Sequence, residues 1–326
     1  MKTCRTTVGT GTPAFAASLL DDLYVTLRRD INEWASVTHQ TPQPRMGYVG
    51  QHLVSVVTGY PGGRSGARGD DLKLPAGKVA EIKCCYRVDQ LGKCKKCGAA
   101  VASIETICPN DQCKSVDLVR NDDSKWLLSP KDEKELHELF IPKCYYLVLF
   151  EFVDLKKSDE IAVCIFQVDT LCLGFTLCMI DYYFNIRAKS ASKAPFNLWP
   201  WSPKFYMMKP LLIYKSIIKA DDTIRTEIFP GINPPVLIGF GNLETYSRTD
   251  MPETAIDAVA AVRNVTFPKF TATNSKLLHA KLSFLQVQRM VQKWDDASLA
   301  DDFARANFRS KVSANQTWTA QYAPSL

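Results

Sequence analysis

Apolar residues recur every three or four positions between residues 14 and 35, at Leu19, Leu20, Leu23, Leu27 and Ile31, which predicts an amphipathic helix. Tyr48 to Val57 predicts a second helix. Gly59 to Gly69 breaks the periodicity as a glycine- and arginine-rich loop. A β-hairpin follows, with Asp71 to Leu74 as one arm, Pro75-Ala76-Gly77-Lys78 as the turn and Val79 to Tyr86 as the other arm. After a cysteine-rich stretch at about 87–122, Ser129-Pro130 predicts a helix reaching about Phe140, with Ser as N-cap and Pro at the first helical position. Cys144 to Val153 and Glu160 to Val168 read as strands joined by a turn at Lys156-Lys157-Ser158-Asp159. Residues 187–210, rich in proline, tryptophan and lysine, read as a long irregular connection. Val236 to Phe240 predicts a short strand. Leu277 to Phe308 predicts a terminal helix with Leu278, Leu282, Leu285 and Met290 on one stripe, a core or dimer face.

The run from Ile161 to Ile186 is almost wholly apolar but is broken by Gln167, Asp169 and Asp181. An Asp near mid-span costs about 2.5–3.5 kcal/mol on insertion scales, so a buried strand with Val163, Ile165 and Val168 inside is expected rather than a membrane helix. The apolar run from Ala14 to Leu20 meets Asp21-Asp22 too early for a secretory signal. The 326 residues suffice for one large domain or two ordinary ones, and a hydrophobic fraction of 46% is that of a globular protein. The net charge of +6 is a mild basic excess, compatible with a nucleic-acid partner without requiring one. Eleven cysteines without an export signal point to reduced thiols in the cytoplasm, where clustered cysteines usually mean metal.

The hairpin carries the candidate chemistry. Phosphodiester hydrolysis needs a metal to activate water and offset charge on the phosphorus oxygens. Magnesium favours one or two carboxylates with waters and substrate phosphate. Asp71 on one arm and Glu81 on the other supply two acids, and strand alternation puts Lys83 on the same face as Glu81 and Ile82 on the opposite one. Ile82 then packs inward while its carbonyl can reach a metal. Lys83 can orient or deprotonate the attacking water. The bare pattern acid-x-Lys starts five times, at Asp71, Glu81, Asp123, Asp132 and Asp154, and only the copy at Glu81 lies in an apolar strand with a partner acid in reach. A solvent-facing edge strand is the plainer alternative. Asp71 is favoured over Asp70 because Leu72 follows it with strand alternation; Asp70 can replace or support it.

Cys94-x2-Cys97 and Cys108-x4-Cys113, ten residues apart, suit a tetrahedral Cys4 zinc site. Gly98 and Pro109 are typical of knuckle turns, and so short a segment needs a metal staple to fold. The zinc would be structural. Lys93, Lys95, Lys96 and Lys114 surround it, as phosphate contacts or as a solvated face. Arg64 and Arg68 precede Asp71 and can clamp DNA or simply be solvated loop residues. Trp199 and Trp201 stack on bases or, more often, pack a connection. The four histidines show no metal spacing.

Gly69-Asp70-Asp71-Leu72 followed by Ala80-Glu81-Ile82-Lys83 resembles the PD-(D/E)xK nuclease motif. The longer string from Glu81 to Gly92, with the cysteine pairs behind it, resembles type II restriction endonucleases of the MamI kind. The resemblance implies an α/β PD-(D/E)xK (restriction endonuclease-like) core with a Cys4 zinc-knuckle insertion. It also implies a cytoplasmic bacterial homodimer, paired with a DNA methyltransferase, that uses Mg2+ to cut double-stranded DNA at an interrupted palindrome. Asp71, Glu81 and the Ile82 carbonyl would bind magnesium, and Lys83 would assist the water. Relatives often carry a Glu on the preceding helix; Gln51 stands there, able to orient a metal-bound water without adding charge. Residues 1–190 would form the nuclease core with the insert at about 87–122, and residues 191–326 a DNA-recognition or dimerisation region. A repair or recombination nuclease, and a zinc-ribbon DNA-binding protein without activity, are the competing readings.

Overall fold

The computed structural model describes residues 11–38, 40, 47–63, 71–103, 105–157, 160–170 and, with short interruptions, 175–238. The candidate residues Arg64, Arg68 and Asp70 lie outside the described residues, as does the predicted helix Leu277 to Phe308.

Helix α1 (Pro13–Leu20) is started by Thr12, whose hydroxyl accepts from the Phe15 N–H at 3.2 Å, with Pro13 at the first position. A π-helical turn, Asp21–Val25, then joins it to α2 (Thr26–Thr38). That turn carries an extra residue and rotates the helix face. Burial therefore passes from Ala16, Leu19 and Leu20 to Tyr24 and Val25, while Leu23 and Leu27 point outward and no residue of α2 is fully buried. The predicted helix exists, but the second half of its stripe faces away from the core. Helix α3 (Gly47–Thr58) buries Val49, Leu53, Val54, Val56 and Val57.

The described strands are β1 (Leu72–Lys73), β2 (Val79–Tyr86), β3 (Gln90–Cys94), β4 (Ala100–Val101), β5 (Leu118–Asn121), β6 (Trp126–Leu128), β7 (Cys144–Phe152), β8 (Ile161–Asp169), β9 (Phe196–Leu198), β10 (Leu211–Ile218), β11 (Ile224–Ile228) and β12 (Val236–Leu237). The central sheet runs β1-β2-β7-β8-β10-β11, with β12 also paired to β10. β2 and β7 are parallel and the other pairings are antiparallel. The architecture is mixed α/β around a mostly sheet core. The hairpin forms with Leu72 opposite Ala80, and a single 3-10 turn at Pro75–Gly77 closes it. Ala76 and Gly77 both adopt positive φ there, which glycine tolerates at no steric cost.

The sheet is covered on both faces, which explains the nearly continuous apolar run of β7. One face takes α1 and α3, packed on Ile82, Val148, Ile165 and Tyr214. The other takes the β6–β9 ribbon and helix α4 (Glu133–Glu138), with Trp126 stacked on Phe205 at 5.6 Å and donating its indole N–H to the Val148 carbonyl at 3.0 Å. α4 is shorter than predicted. Asp132, not Ser129, caps it, accepting from the Glu135 N–H at 2.8 Å while the Glu135 carboxylate accepts from the Lys131 N–H at 2.7 Å. Ser129-Pro130 belongs to the extended lead-in. Val163, Ile165 and Val168 are buried in β8, and among the described residues no helix is long and apolar enough to cross a membrane. The connection after residue 187 is less irregular than predicted, since β9 pairs with β6. Trp201 packs edge-on against Phe166 and donates to Glu151 at 2.8 Å; the Lys125 ammonium lies 4.3 Å from the Trp199 ring centre.

The cysteine segment forms its own small sheet, β4-β3-β5, between β2 and β6. Two polar networks hold it to the body. At its entrance Asp89, at φ 57°, accepts from the Tyr24 hydroxyl (3.0 Å), Arg28 (2.6 Å) and Ser103 (2.9 Å), and Arg28 also reaches the Ser103 hydroxyl (3.0 Å). At its neck Arg87 pairs with the Asp122 carboxylate, donates to the Asp122 carbonyl (2.9 Å) and reaches Glu151 (3.4 Å). Burial pushes the Glu151 carboxyl up; Arg87 and the Trp201 indole pull it back. Both networks are buried or half-buried, so removing one partner leaves the others without compensation. Asp89→Ala is expected to cost about 3 kcal/mol, the scale for breaking a buried ion pair, read as a lower urea midpoint at unchanged slope.

Candidate active site and cysteine cluster

β1 begins at Leu72, one residue short of pairing with Glu81. Beyond that point, among the described residues, the edge of β2 has no ladder partner, and the Asp71 side chain takes that place: Oδ2 accepts from the Ile82 N–H at 2.9 Å. In an extended strand the N–H and C=O of one residue point to the same edge, so the Ile82 carbonyl opens toward the Asp71 side. Asp71 Oδ1 accepts from the Gln51 amide at 2.9 Å, which ties the carboxylate to α3.

Glu81 is 5% exposed, and its carboxylate pairs with the Lys83 ammonium two residues along the same face. Ile82 is buried on the other face, among the residues under α3. The structure thus brings Asp71, Glu81 and Lys83 together around the start of β1, with the Ile82 backbone between the two acids and Gln51 joined through Asp71. Parallel pairing places Tyr145 of β7 opposite Glu81. Burial raises the Tyr145 phenol well above its ordinary range, and the charges of Glu81 and Asp71 push it further. The phenol stays neutral and donates to the Leu139 carbonyl at 3.1 Å, bracing the end of α4. A cleft on this face is walled by Glu81, Lys83 and Tyr145 from the sheet, Leu128 and Pro130 from the lead-in to α4, and Glu138 from α4.

Sequence reasoning missed Tyr145 and Glu138. Alternation within β7 marks Tyr145 as an ordinary apolar-strand residue; only the parallel register, set far along the chain, puts it beside Glu81. The acid-x-Lys copies at Asp123 and Asp132 sit in a loop and at a helix cap, and the copy at Asp154 lies in a turn; all three acids are engaged by local N–H or ammonium groups.

In the insert the Sγ atoms of Cys94, Cys97, Cys108 and Cys113 lie within 4.8 Å of one another. Cys94 and Cys113 are 3.7 Å apart and Cys97 and Cys108 3.5 Å. A zinc–sulfur bond of about 2.3 Å puts the thiolates of a tetrahedron about 3.8 Å apart, so the four sulfurs fit such a centre. Backbone N–H groups of Cys97 and Lys96 aim at the Cys94 sulfur and favour its thiolate. Cys84 and Cys85 take no part: Cys85 is buried under the α4 face, and Cys84 faces α3 and bonds the Gly47 carbonyl. Lys93, Lys95 and Lys96 are exposed on the insert; Lys95 pairs with Asp117 and Lys114 with Asp111.

Against known families, residues 33–238 match the model of the family described as MamI restriction endonuclease. No curated protein and no solved structure matches.

Gly50 fixes how closely α3, and with it Gln51, approaches the hairpin. A Cβ at Gly50 would stand 2.1 Å from Cys84 Sγ and 3.4 Å from Val148. Gly50→Ala is expected to cost about 1–3 kcal/mol by overpacking. Adding Cys84→Ala removes the obstructing sulfur, so the double variant should recover most of that loss in a urea-unfolding cycle.

Proposed function

The chain belongs to the MamI restriction endonuclease family, and from that membership we propose a type II endonuclease that cuts double-stranded DNA at a specific site using Mg2+, on a PD-(D/E)xK core. DNA as substrate and hydrolysis as reaction follow from the family. The single observation that supports the rest is the grouping of Asp71, Glu81 and Lys83 around the open Ile82 edge. Two carboxylates and a carbonyl are the hard oxygen donors that magnesium takes, and the chain supplies them on one rigid hairpin. Bound there, magnesium would supply charge neutralisation at the scissile phosphate and acidify a water.

The chain's own residues do the positioning. Gln51 and the Ile82 N–H hold the Asp71 carboxylate in one orientation. Lys83, half-exposed beside a buried Glu81, is an ammonium suited to orient the attacking water and to offset negative charge on the phosphate. Tyr145, kept neutral, gives the site a rigid floor. The structural metal of the insert would be zinc on Cys94, Cys97, Cys108 and Cys113. Lys93 and Lys96, exposed on that insert, fit contacts to the DNA backbone. Action as a homodimer on an interrupted palindrome, alongside a methyltransferase that protects the host site, completes the reading.

Plasmid DNA incubated with the protein and Mg2+ should yield discrete fragments, and none with EDTA; random nicking would mean a nuclease without site specificity. Lys83→Ala should lower the cleavage rate by about 10²–10⁴-fold, and Glu81→Ala should abolish cutting while a mobility shift still reports binding. Full cleavage by Glu81→Ala would overturn the site. Metal analysis should return about one zinc per chain, lost with Cys97→Ser.

A further inference from the structure

Among the described residues, nothing covers one apolar face of helix α2. Leu23 (38% exposed), Leu27 (39%), Trp34 (67%) and Val37 (71%) line it at heptad-like spacing, with exposed Asp30 between Leu27 and Trp34. The opposite side is committed, since Tyr24 and Arg28 are bound to Asp89 and Arg29 pairs with Asp222 in the β10–β11 turn. An exposed Trp and Val preceded by two partly exposed leucines on one stripe is the kind of surface another helix covers.

We propose that residues 277–294 of the same chain cover it. This part of the sequence lies beyond the described residues, and its pattern complements α2 in two independent ways. First, Leu277, Ala280, Phe284, Val287, Val291 and Trp294 follow one another at alternating steps of three and four, the seam that packs against a neighbouring helix. Second, residues 276–293 carry Lys276, Lys281, Arg289 and Lys293 and no acidic residue, whereas two exposed acids lie on this side of α2, Asp30 on the stripe and Glu33 beside it. Lys276 and Lys281 border that seam while Arg289 and Lys293 fall on its far side, so the first two are the cations that meet Asp30 and Glu33 and favour this pairing.

Reach is no obstacle. The described chain ends beside the start of β10, while the Arg29–Asp222 pair lies at the other end of that strand, roughly 30 Å away at strand rise. The 38 residues from 239 to 276 can extend to more than roughly 100 Å. A second copy is the weaker occupant. Large side chains offer roughly 150–250 Å² each when fully exposed, so this stripe presents on the order of 500 Å². That is short of the roughly 800 Å² per partner of a stable interface. An intrachain helix needs no such area, because its association is already unimolecular. The family match, which spans residues 33–238, leaves out both the start of α2 and residues 277–294. The proposal does not depend on the nuclease reading.

The test uses the full chain with the photo-crosslinker p-benzoylphenylalanine at position 34, prepared as a mixture of 14N- and 15N-labelled protein. Illumination and peptide mass spectrometry should join position 34 to a peptide within 277–294, with both peptides carrying the same isotope. Mixed-isotope pairs would place a second copy on α2 and overturn the proposal, as would crosslinks elsewhere in the chain or none. In a second measurement Phe284→Asp should speed amide exchange across residues 26–38 about tenfold or more, while β7 stays protected. Unchanged exchange on α2 would likewise overturn it.

Discussion

The parallel pairing of β2 with β7 constrains everything else. Two strands pointing the same way cannot be joined by a tight turn; the chain must leave one end and return to the other. That obligatory crossover runs from Arg87 to Lys143 and holds the cysteine insert, β6 and α4. Because it departs from the strand bearing Glu81 and Lys83, its return path, through Leu127, Leu128 and α4, becomes the far wall of the cleft those residues face. Tyr145, the second residue of the strand it arrives at, becomes the floor. Site and scaffold are consequences of one pairing.

Within that frame the polar groups do different work according to burial. The Asp89 network holds a charge pair away from water, where mutual satisfaction is what makes burial tolerable. The Arg87–Glu151 pair is longer, at 3.4 Å, and shares Glu151 with the Trp201 indole. The ion pair between Lys83 and Glu81 differs from both, since Lys83 keeps part of its surface in solvent. A partly wet ammonium can exchange partners at low cost, which suits the proposed site, where water and phosphate would enter.

Much of this was legible in the chain. Alternation in Val79 to Tyr86 placed Glu81 and Lys83 on one face and Ile82 on the other, and Pro75 to Lys78 marked the turn, because these signals depend on neighbours in sequence. The cysteine spacing marked the cluster for the same reason. What escaped reading depends on contacts between distant segments. No periodicity reveals a π turn, so Leu23 and Leu27 looked inward when they turn outward. Ser129-Pro130 has the ideal start signal, yet the helix begins after Asp132, where Glu135 completes a reciprocal cap. The register of β7 against β2, and hence Tyr145, has no local signature at all.

The closed neck of the cysteine segment has an evolutionary corollary. Arg87 and Asp122 meet across it, and the Arg87 N–H is fixed to the Phe150 carbonyl at 2.7 Å. Once two stems are clasped, the entropy of joining them grows only as the logarithm of what lies between, about 0.6 kcal/mol for each doubling of length. Such a segment can be lengthened, shortened or exchanged with little strain on the strands beneath. Sequence drift can therefore concentrate in this appendage and leave the hairpin that carries Asp71 and Glu81 untouched.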